Sequence, residues 1–442
     1  MMKRIQKEPI KKKKKTTRKY LQTVKGMKDL LPQDHKYWDF LEKSIVNLAK
    51  DYSFKKIMTP VLEHPNLFSK GLTKKSDIVK DLFLFDSEEE SLCLRPELTL
   101  PIIRSYIEHN MAQLPHPLKL YSIGPVYKQK GGKYKEARQL HQLGCFIIGE
   151  DSPIADVQVI LFLFNILKPF DFNLSVNINS TGCEDCRDKY REALSGYYKG
   201  KKKLLCEQCQ SNIAKSPLYI LNCYEECCCQ LKVDAPQSVD WLCEKCKQHF
   251  IKVLEALDEL DIPYVLNPYI VSGFDFRAKT VFEIVENPAN EGGTPLILGA
   301  GARHDELTRK LGGESTPLVS TSFIFESVIK RIRQCDSDVF DFSQPDVFVA
   351  QIGEMAKRKS LVLFESLRKE GISIAEGFSK DDLRTQFEMA MKLDVKYTLI
   401  LGQKEILDGT IIIRDMDGGV QEIIDFDKVA LELKKRLGKN QK

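Results

Sequence analysis

The sequence predicts an α+β fold, an antiparallel sheet flanked by helices, with a smaller α/β domain at its C-terminal end. Three observations predict it. The runs LKLYSIGPVYKQ and ARQLHQLGCFIIG meet at the Gly- and Lys-rich stretch KQKGGKYKEA, the pattern of a long antiparallel hairpin. Helical and strand periods then mix without strict alternation until about residue 345, after which strands and helices alternate regularly. Ten of the thirteen cysteines fall between residues 183 and 246, which sets that block apart as an insertion.

At 442 residues the chain has room for two or three domains. Residues 1–20 hold ten Lys or Arg against one Glu, about +9, so the rest carries about −4 of the net +5. This leader lacks an apolar core and does not read as a secretory signal. Its dense like charge predicts a disordered tail, either an electrostatic arm for RNA phosphates or a solvated end.

GMKDLLPQDHKYWDFLEKSIVNLAKDYSF reads as a turn and a long helix, with Tyr37, Phe40, Leu41, Ile45, Leu48 and Ala49 at helical spacing. KKIMTPVLEHPNLF is a strand punctuated by Pro60, DLFLFD and ESLCLRP are short strands, and PELTLPIIRSYIEH is a helix. The most apolar run, VQVILFLFNILKPF, carries Gln158, Asn165 and Lys168 and reads as a buried helix rather than a membrane span. SDVFDFSQP (337–345) reads as a linker. VFVAQI, ISIAEG and KYTLILG, with two intervening helices, predict an α/β unit of parallel strands and crossovers.

The cysteine block contains Cys183-x2-Cys186, Cys206-x2-Cys209, Cys223-x4-Cys228 and Cys243-x2-Cys246. Eight thiols in four hooks are the number that two tetrahedral Zn–S4 sites require. All-thiolate sites leave no open coordination position, so the zinc is expected to be structural, its binding energy becoming folding energy. Cys227 and Cys229 are surplus thiols or alternatives to Cys228. Cys93, Cys145 and Cys335 read as packing residues. Thirteen thiols and no secretory signal point to the cytoplasm.

GMKDLLP, TPVLE (59–63), LRPELT (94–99), RQLHQLG (138–144), INSTGC (178–183), GARHDEL (301–307), and LILG with DGTIIIRD in the last domain together resemble the histidyl-tRNA synthetase family, nearly end to end. The resemblance implies a class II synthetase sheet, a homodimer, a C-terminal anticodon-binding domain, and tRNA as partner. It implies the chemistry as well: histidine's carboxylate attacks the α-phosphate of ATP, and the aminoacyl group then passes to tRNA. Guanidinium forks suit the charge that develops on that phosphate.

By the resemblance, Glu97, Thr99 and Gln142 hold the backbone end of the amino acid, and Arg277 and His304 line its side-chain pocket. Arg95, Lys128, Arg138 and Glu326 face the nucleotide. The sequence departs from the family where the chemistry is hardest. The arginine of motif 2 falls at Lys128, its acidic residue at Lys130, the arginine of motif 3 at Ser327, and the catalytic arginine of the Leu-Val-Arg-Gly turn at Ser272. Around the imidazole, a glutamate becomes Phe146, a tyrosine becomes Arg277 and another becomes His304, while Ala302 and Ser320 replace glycines. Ring nitrogens left unpaired beside Phe146 would cost about 1–3 kcal/mol each. Arg277, Lys130, Lys133 and Lys135 are the candidate substitute cations. Structural readings stand alongside: Arg95 with Glu97, and Arg303 with Asp305, as ion pairs, and His141 as a packed strand residue.

The sequence is therefore read as a tRNA-binding paralogue with impaired or absent aminoacylation, in which ATP and magnesium are not used efficiently. An active ligase with relocated cations is the alternative, and a small-molecule-sensing subunit like that of ATP phosphoribosyltransferase is the third reading. The expected divisions are a tail (1–20), a catalytic-like domain in two parts (21–180 and 251–332), a zinc insertion (181–250), a linker (333–345) and the anticodon-binding domain (346–442).

Overall fold

A computed structural model describes residues 21–72, 76–86, 90–129, 137–213, 216–270, 277–288, 290, 293–334 and 345–438. The basic tail, Ser272, Lys130, Lys133, Lys135, Cys335 and most of the expected linker lie outside the described residues. The chain forms two compact units, residues 1–339 and 340–442.

In the first unit Pro32 opens α1 (Pro32–Asp51) at a position where its missing N–H is no loss. Trp38, Leu41, Ile45 and Ala49 form the buried stripe. The face is thus turned slightly from the expected series, and Tyr37, Phe40 and Leu48 stay half-buried. The run expected as one strand is broken into β1 (Lys55–Lys56) and β2 (Leu62–Glu63) on either side of Pro60, which cannot donate to a ladder. After α2 (Pro65–Gly71) and α3 (Asp77–Lys80), β3 (Phe83–Asp86) and β4 (Ser91–Leu94) join β2 in a small antiparallel sheet ordered β2-β4-β3.

α4 (Thr99–Glu108) leads to the long hairpin of β5 (Leu118–Tyr127) and β6 (Gln139–Ile148), paired from Leu118–Ile148 to Tyr127–Gln139. Helix α5 (Pro153–Leu167) starts at Ser152, whose Oγ accepts the Ile154 N–H at 3.3 Å. Continued through Phe170, the helical stretch is long and apolar enough to cross a membrane, but nine side chains of α5 are buried in the core of this unit.

β7 (Leu174–Ser180) enters the cysteine block, built from α6 (Glu184–Gly200), α7 (Glu207–Asn212), α8 (Glu226–Val233) and the start of α9 (Glu244–Glu259). The block has an apolar cluster of its own, including Tyr190, Leu194, Tyr198, Ile220 and Leu221, so thiols are not its sole support. β8 (Tyr264–Leu266), β9 (Ala278–Glu286), β10 (Leu296–Arg303), α10 (Leu307–Lys310), β11 (Leu318–Ile324) and α11 (Phe325–Ile332) complete the unit. Its main sheet is ordered β1-β5-β6-β11-β10-β9-β7-β8. The six inner strands are antiparallel as expected, while the short edge pairs β1–β5 and β7–β8 are parallel. α5 packs on β11 and α9, tying the sheet to the end of the insertion.

The second unit contains β12 (Val347–Gln351), α12 (Glu354–Lys369), β13 (Ile374–Glu376), α13 (Leu383–Lys392), β14 (Tyr397–Leu401), α14 (Gln403–Asp408), β15 (Thr410–Asp415), β16 (Gln421–Asp425) and α15 (Val429–Arg436). β13, β12 and β14 are parallel with helical crossovers, as the alternation predicted. β15 and β16 add as an antiparallel hairpin, so the sheet is mixed.

Candidate active site and metal centres

Residues paired across antiparallel strands share a face. One row of the main sheet runs Gly144, Ser322, Ala300, Glu283, and the next Phe146, Ser320, Ala302, Val281. Gln142 lies on the same face of β6, two residues from Gly144. This face is where the resemblance puts the reacting groups.

Glu97, Thr99 and Gln142 meet at the start of α4. Glu97 accepts the N–H groups of Thr99 at 2.5 Å and Leu100 at 2.8 Å, and Gln142 Oε1 accepts that of Leu98 at 3.1 Å. These amides lack intrahelical partners, so both side chains cap the helix. Burial lifts the Glu97 carboxyl above its ordinary value, against the pull of the amide bonds.

Arg95 does not form the ion pair with Glu97 considered for it. Its guanidinium donates to the carbonyls of Pro125 at 2.9 Å and Thr59 at 2.8 Å, bracing β5 against the segment between β1 and β2. Gly124 makes room for it, since a Cβ there would run into Arg95 Nη2. Lys128 and Arg138 face each other past the hairpin end, joined by the Lys128 N–H to the Arg138 carbonyl at 2.9 Å. Arg138 stacks over Phe83 with 4.3 Å to the ring centroid. Burial lowers the Lys128 ammonium, partly offset by Asp81.

Glu326 and Ser327 lie in the first turn of α11. Glu326 accepts the His141 N–H at 3.0 Å and bonds its Nδ1 at 2.9 Å. Trp38 packs edge-on against His141 and stacks on Phe325, which places His141 in a packed junction of α1, β6 and α11.

Arg277 and His304 do come together. The Arg277 and Arg303 charges act on the imidazole, and with burial as the largest cause they push His304 down to about 3. His304 Nε2 pairs with Ser320 Oγ at 3.0 Å. Burial brings Arg277 down to about 10, resisted by the charge of Glu283 on β9. Phe146 is fully buried with Leu98 and Leu120, so that position is packed core, and Ala302 packs with Ile270 and Val281. Arg303 pairs chiefly with Asp156 rather than with Asp305: its Nε and Nη2 reach the Asp156 oxygens at 3.0–3.1 Å, while Asp305 is 3.4 Å away.

The eight hook cysteines gather into two groups, Cys183–Cys186–Cys243–Cys246 and Cys206–Cys209–Cys223–Cys228, with sulfurs within 4.8 Å of one another in each. The first hook shares a site with the fourth, distant in sequence, and the second with its neighbour the third. Four soft sulfur donors at this spacing fit a tetrahedral zinc ion. In the first group the Cys243 N–H donates to Cys186 Sγ at 3.1 Å, and in the second the Cys206 N–H donates to Cys228 Sγ at 3.4 Å. Amide bonds of this kind support thiolate charge. Cys227 and Cys229, the surplus thiols, are exposed.

Several residues that shape this site carried no sequence signal. Asp156 reads as one acid in the first turn of an apolar helix, and its buried bond to His249 at 2.8 Å spans α5 and α9. Arg187, which bonds the Arg277 carbonyl at 2.7 Å and Glu306 at 2.9 Å, follows Cys186 directly, and that position was its only hint.

A family model described as histidyl-tRNA synthetase matches residues 26–180, and one described as an anticodon binding domain matches residues 346–436. The chain is 36% identical over 409 residues to the histidine–tRNA ligase of Syntrophotalea carbinolica, covering 92% of this chain and 96% of that one. It is 34% identical over 401 residues to the histidine–tRNA ligase of Natranaerobius thermophilus, covering 90% and 94%. The crystal structure of apo S. aureus histidyl-tRNA synthetase matches with a TM-score of 0.78 at 29% identity, over 94% of this chain and 100% of that one. Similarity at this level, sustained through both units in the same order, means that the chain belongs to the histidyl-tRNA synthetase family.

Proposed function

We propose that this chain is a cytoplasmic, homodimeric histidine–tRNA ligase that uses ATP, histidine and tRNA with relocated phosphate-facing cations, and forms its adenylate slowly. What supports the ligase over the charging-deficient paralogue is the 36% identity along 92% of the chain to a protein named histidine–tRNA ligase. Glu97, Thr99 and Gln142 remain together to orient the amino acid. The histidine carboxylate attacks the α-phosphorus, pyrophosphate leaves, and the aminoacyl group passes to a tRNA hydroxyl with release of AMP. Lys128 in place of the motif 2 arginine and Arg138 at the hairpin end supply positive charge toward the phosphates, and Arg277 is the candidate relocated cation among the described residues. An ammonium lacks the bidentate fork, and loss of a phosphate-clamping arginine costs on the order of 10³–10⁵ in rate. The second unit would hold the tRNA anticodon. The two tetrathiolate groups would each hold a structural zinc ion, which contributes folding energy and no open coordination site.

One observation favours the second reading, a tRNA-binding paralogue without charging. Ser327 stands in the first turn of α11 where the resemblance puts an arginine, and Arg95 and Arg303 are committed to Thr59, Pro125 and Asp156. ATP–pyrophosphate exchange with histidine, run beside filter binding of tRNA-His over a salt series, separates the readings. Histidine-dependent exchange that falls on Lys128→Ala supports the ligase. Salt-sensitive tRNA binding without exchange supports the paralogue, and absence of both overturns both.

A further inference from the structure

The two sulfur sites are not equivalent. We propose that a zinc ion held by Cys183, Cys186, Cys243 and Cys246 positions Arg277 and the start of β9 that follows it, whereas an ion at Cys206, Cys209, Cys223 and Cys228 stabilises the insertion alone. This rests on the structural-zinc reading above and goes beyond it by assigning one of the metals a role at the active-site face.

The first link is the backbone beside Cys183. The Gly182 carbonyl accepts the Lys279 N–H at 2.8 Å, and the Lys279 carbonyl accepts the Thr181 N–H at 2.8 Å. Gly182 has φ +66, and a Cβ there would collide with Cys186 Cβ, so the chain turns into the metal site in the one way glycine permits. Lys279 itself has φ +50, a left-handed conformation that a long side chain rarely adopts, and it lies where the β9–β10 register shifts between Ala302 and Arg303. Such a conformation persists only where its surroundings hold it on several sides. Here the backbone is held by the metal site's own flank and the side chain by Asp151 and Asp305, with Arg277 two residues away.

The other links are side chains sent from the two helices that begin on this site. Cys183 and Cys243 are the residues preceding α6 and α9. From the first turn of α6, Arg187 bonds the Arg277 carbonyl at 2.7 Å and Glu306 at 2.9 Å. From the second turn of α9, His249 bonds Asp156 at 2.8 Å, and Asp156 holds Arg303, the neighbour of His304. One ion drawing four sulfurs together fixes the spacing of both helix starts, and through them the positions of Arg277 and the 303–306 segment. Among the described residues the second site reaches less far: its bonds run to Cys228 from Cys206 and to the Cys223 carbonyl from Lys232, its apolar neighbours are insertion residues such as Tyr198, Ile220 and Leu221, and beyond the insertion Lys232 only approaches the Tyr269 ring, at 6.0 Å.

The test compares full-length wild type with Cys243→Ser and Cys206→Ser by metal analysis and by hydrogen exchange of residues 277–286, 303–311 and 205–233. The expected wild type carries two zinc ions. Cys243→Ser should carry one and exchange residues 277–286 at least tenfold faster. Cys206→Ser should also carry one, with faster exchange confined to 205–233. Chelator-stripped wild type titrated with Zn²⁺ alone gives the same readout if Cys243→Ser does not fold, and protection of 277–286 should return with the ion. Two zinc ions in wild type and one in Cys243→Ser, with unchanged exchange at 277–286 in that variant, would overturn the positioning role while leaving the zinc reading intact. Wild type without zinc would overturn both.

Discussion

Asp156 and Arg303 are both fully buried and bonded to each other, Arg303 Nε and Nη2 each reaching the Asp156 carboxylate at about 3 Å, with His249 on the same carboxylate at 2.8 Å. A buried pair is expensive to break because the survivor keeps its charge without a partner. Asp156→Ala should therefore destabilise the chain by about 3–5 kcal/mol in urea unfolding. Exposed Asp188→Ala, whose ion pair with Arg191 spans 3.5 Å on the surface of α6, should change stability by about 0.5 kcal/mol or less.

His304 gives a pH signature. Its folded value of about 3 lies well below the ordinary 6.5, so between these values the unfolded chain takes up a proton that the folded chain refuses. Stability from this group is present in full above pH 6.5 and is lost as pH falls toward 3. Comparing urea melts at pH 7.5 and 4.5, wild type should lose about 2 kcal/mol more than His304→Phe. Equal losses would show an imidazole that titrates normally.

Restoring a fork at Lys128 tests the charge argument directly. Lys128→Arg should raise histidine-dependent pyrophosphate exchange on the order of tenfold, because two parallel N–H donors then face the phosphate oxygens. An unchanged or lower rate would mean that Lys128 does not face the nucleotide.

Glu97 serves α4 before any ligand arrives. Glu97→Ala removes the acceptor for two helix amides and should cost about 1–2 kcal/mol, read as a lower midpoint in thermal unfolding. Glu97→Gln keeps one acceptor oxygen and should lose less.

Much of the fold was legible because pattern and period agree. The β5–β6 hairpin and the three parallel strands of the second unit follow from local periodicity, and α5 from the length and apolarity of one run. What sequence could not give is set by three-dimensional closure. The pairing of the first hook with the fourth depends on how α6 and α9 converge, and nothing in the spacing of the four hooks dictates it. Arg95 and Glu326 fit a nucleotide site by motif, yet each already has protein partners, Thr59 and Pro125 for one and His141 for the other. Asp156 and His249 sit 93 positions apart, and their bond follows only from the packing of two helices.

The insertion separates β7 from its partner β9, so that Ser180 pairs with Thr280. Closing so long a stretch of chain is entropically slow to nucleate, although each doubling of its length adds only about 0.6 kcal/mol. A thiolate clasp that joins Cys183 and Cys186 to Cys243 and Cys246 shortens the path between those strands before the ladder forms. Under the zinc reading proposed above, assembly of the central sheet would be tied to metal supply during synthesis, and a starved cell would accumulate chains with β9 unpaired and open to aggregation.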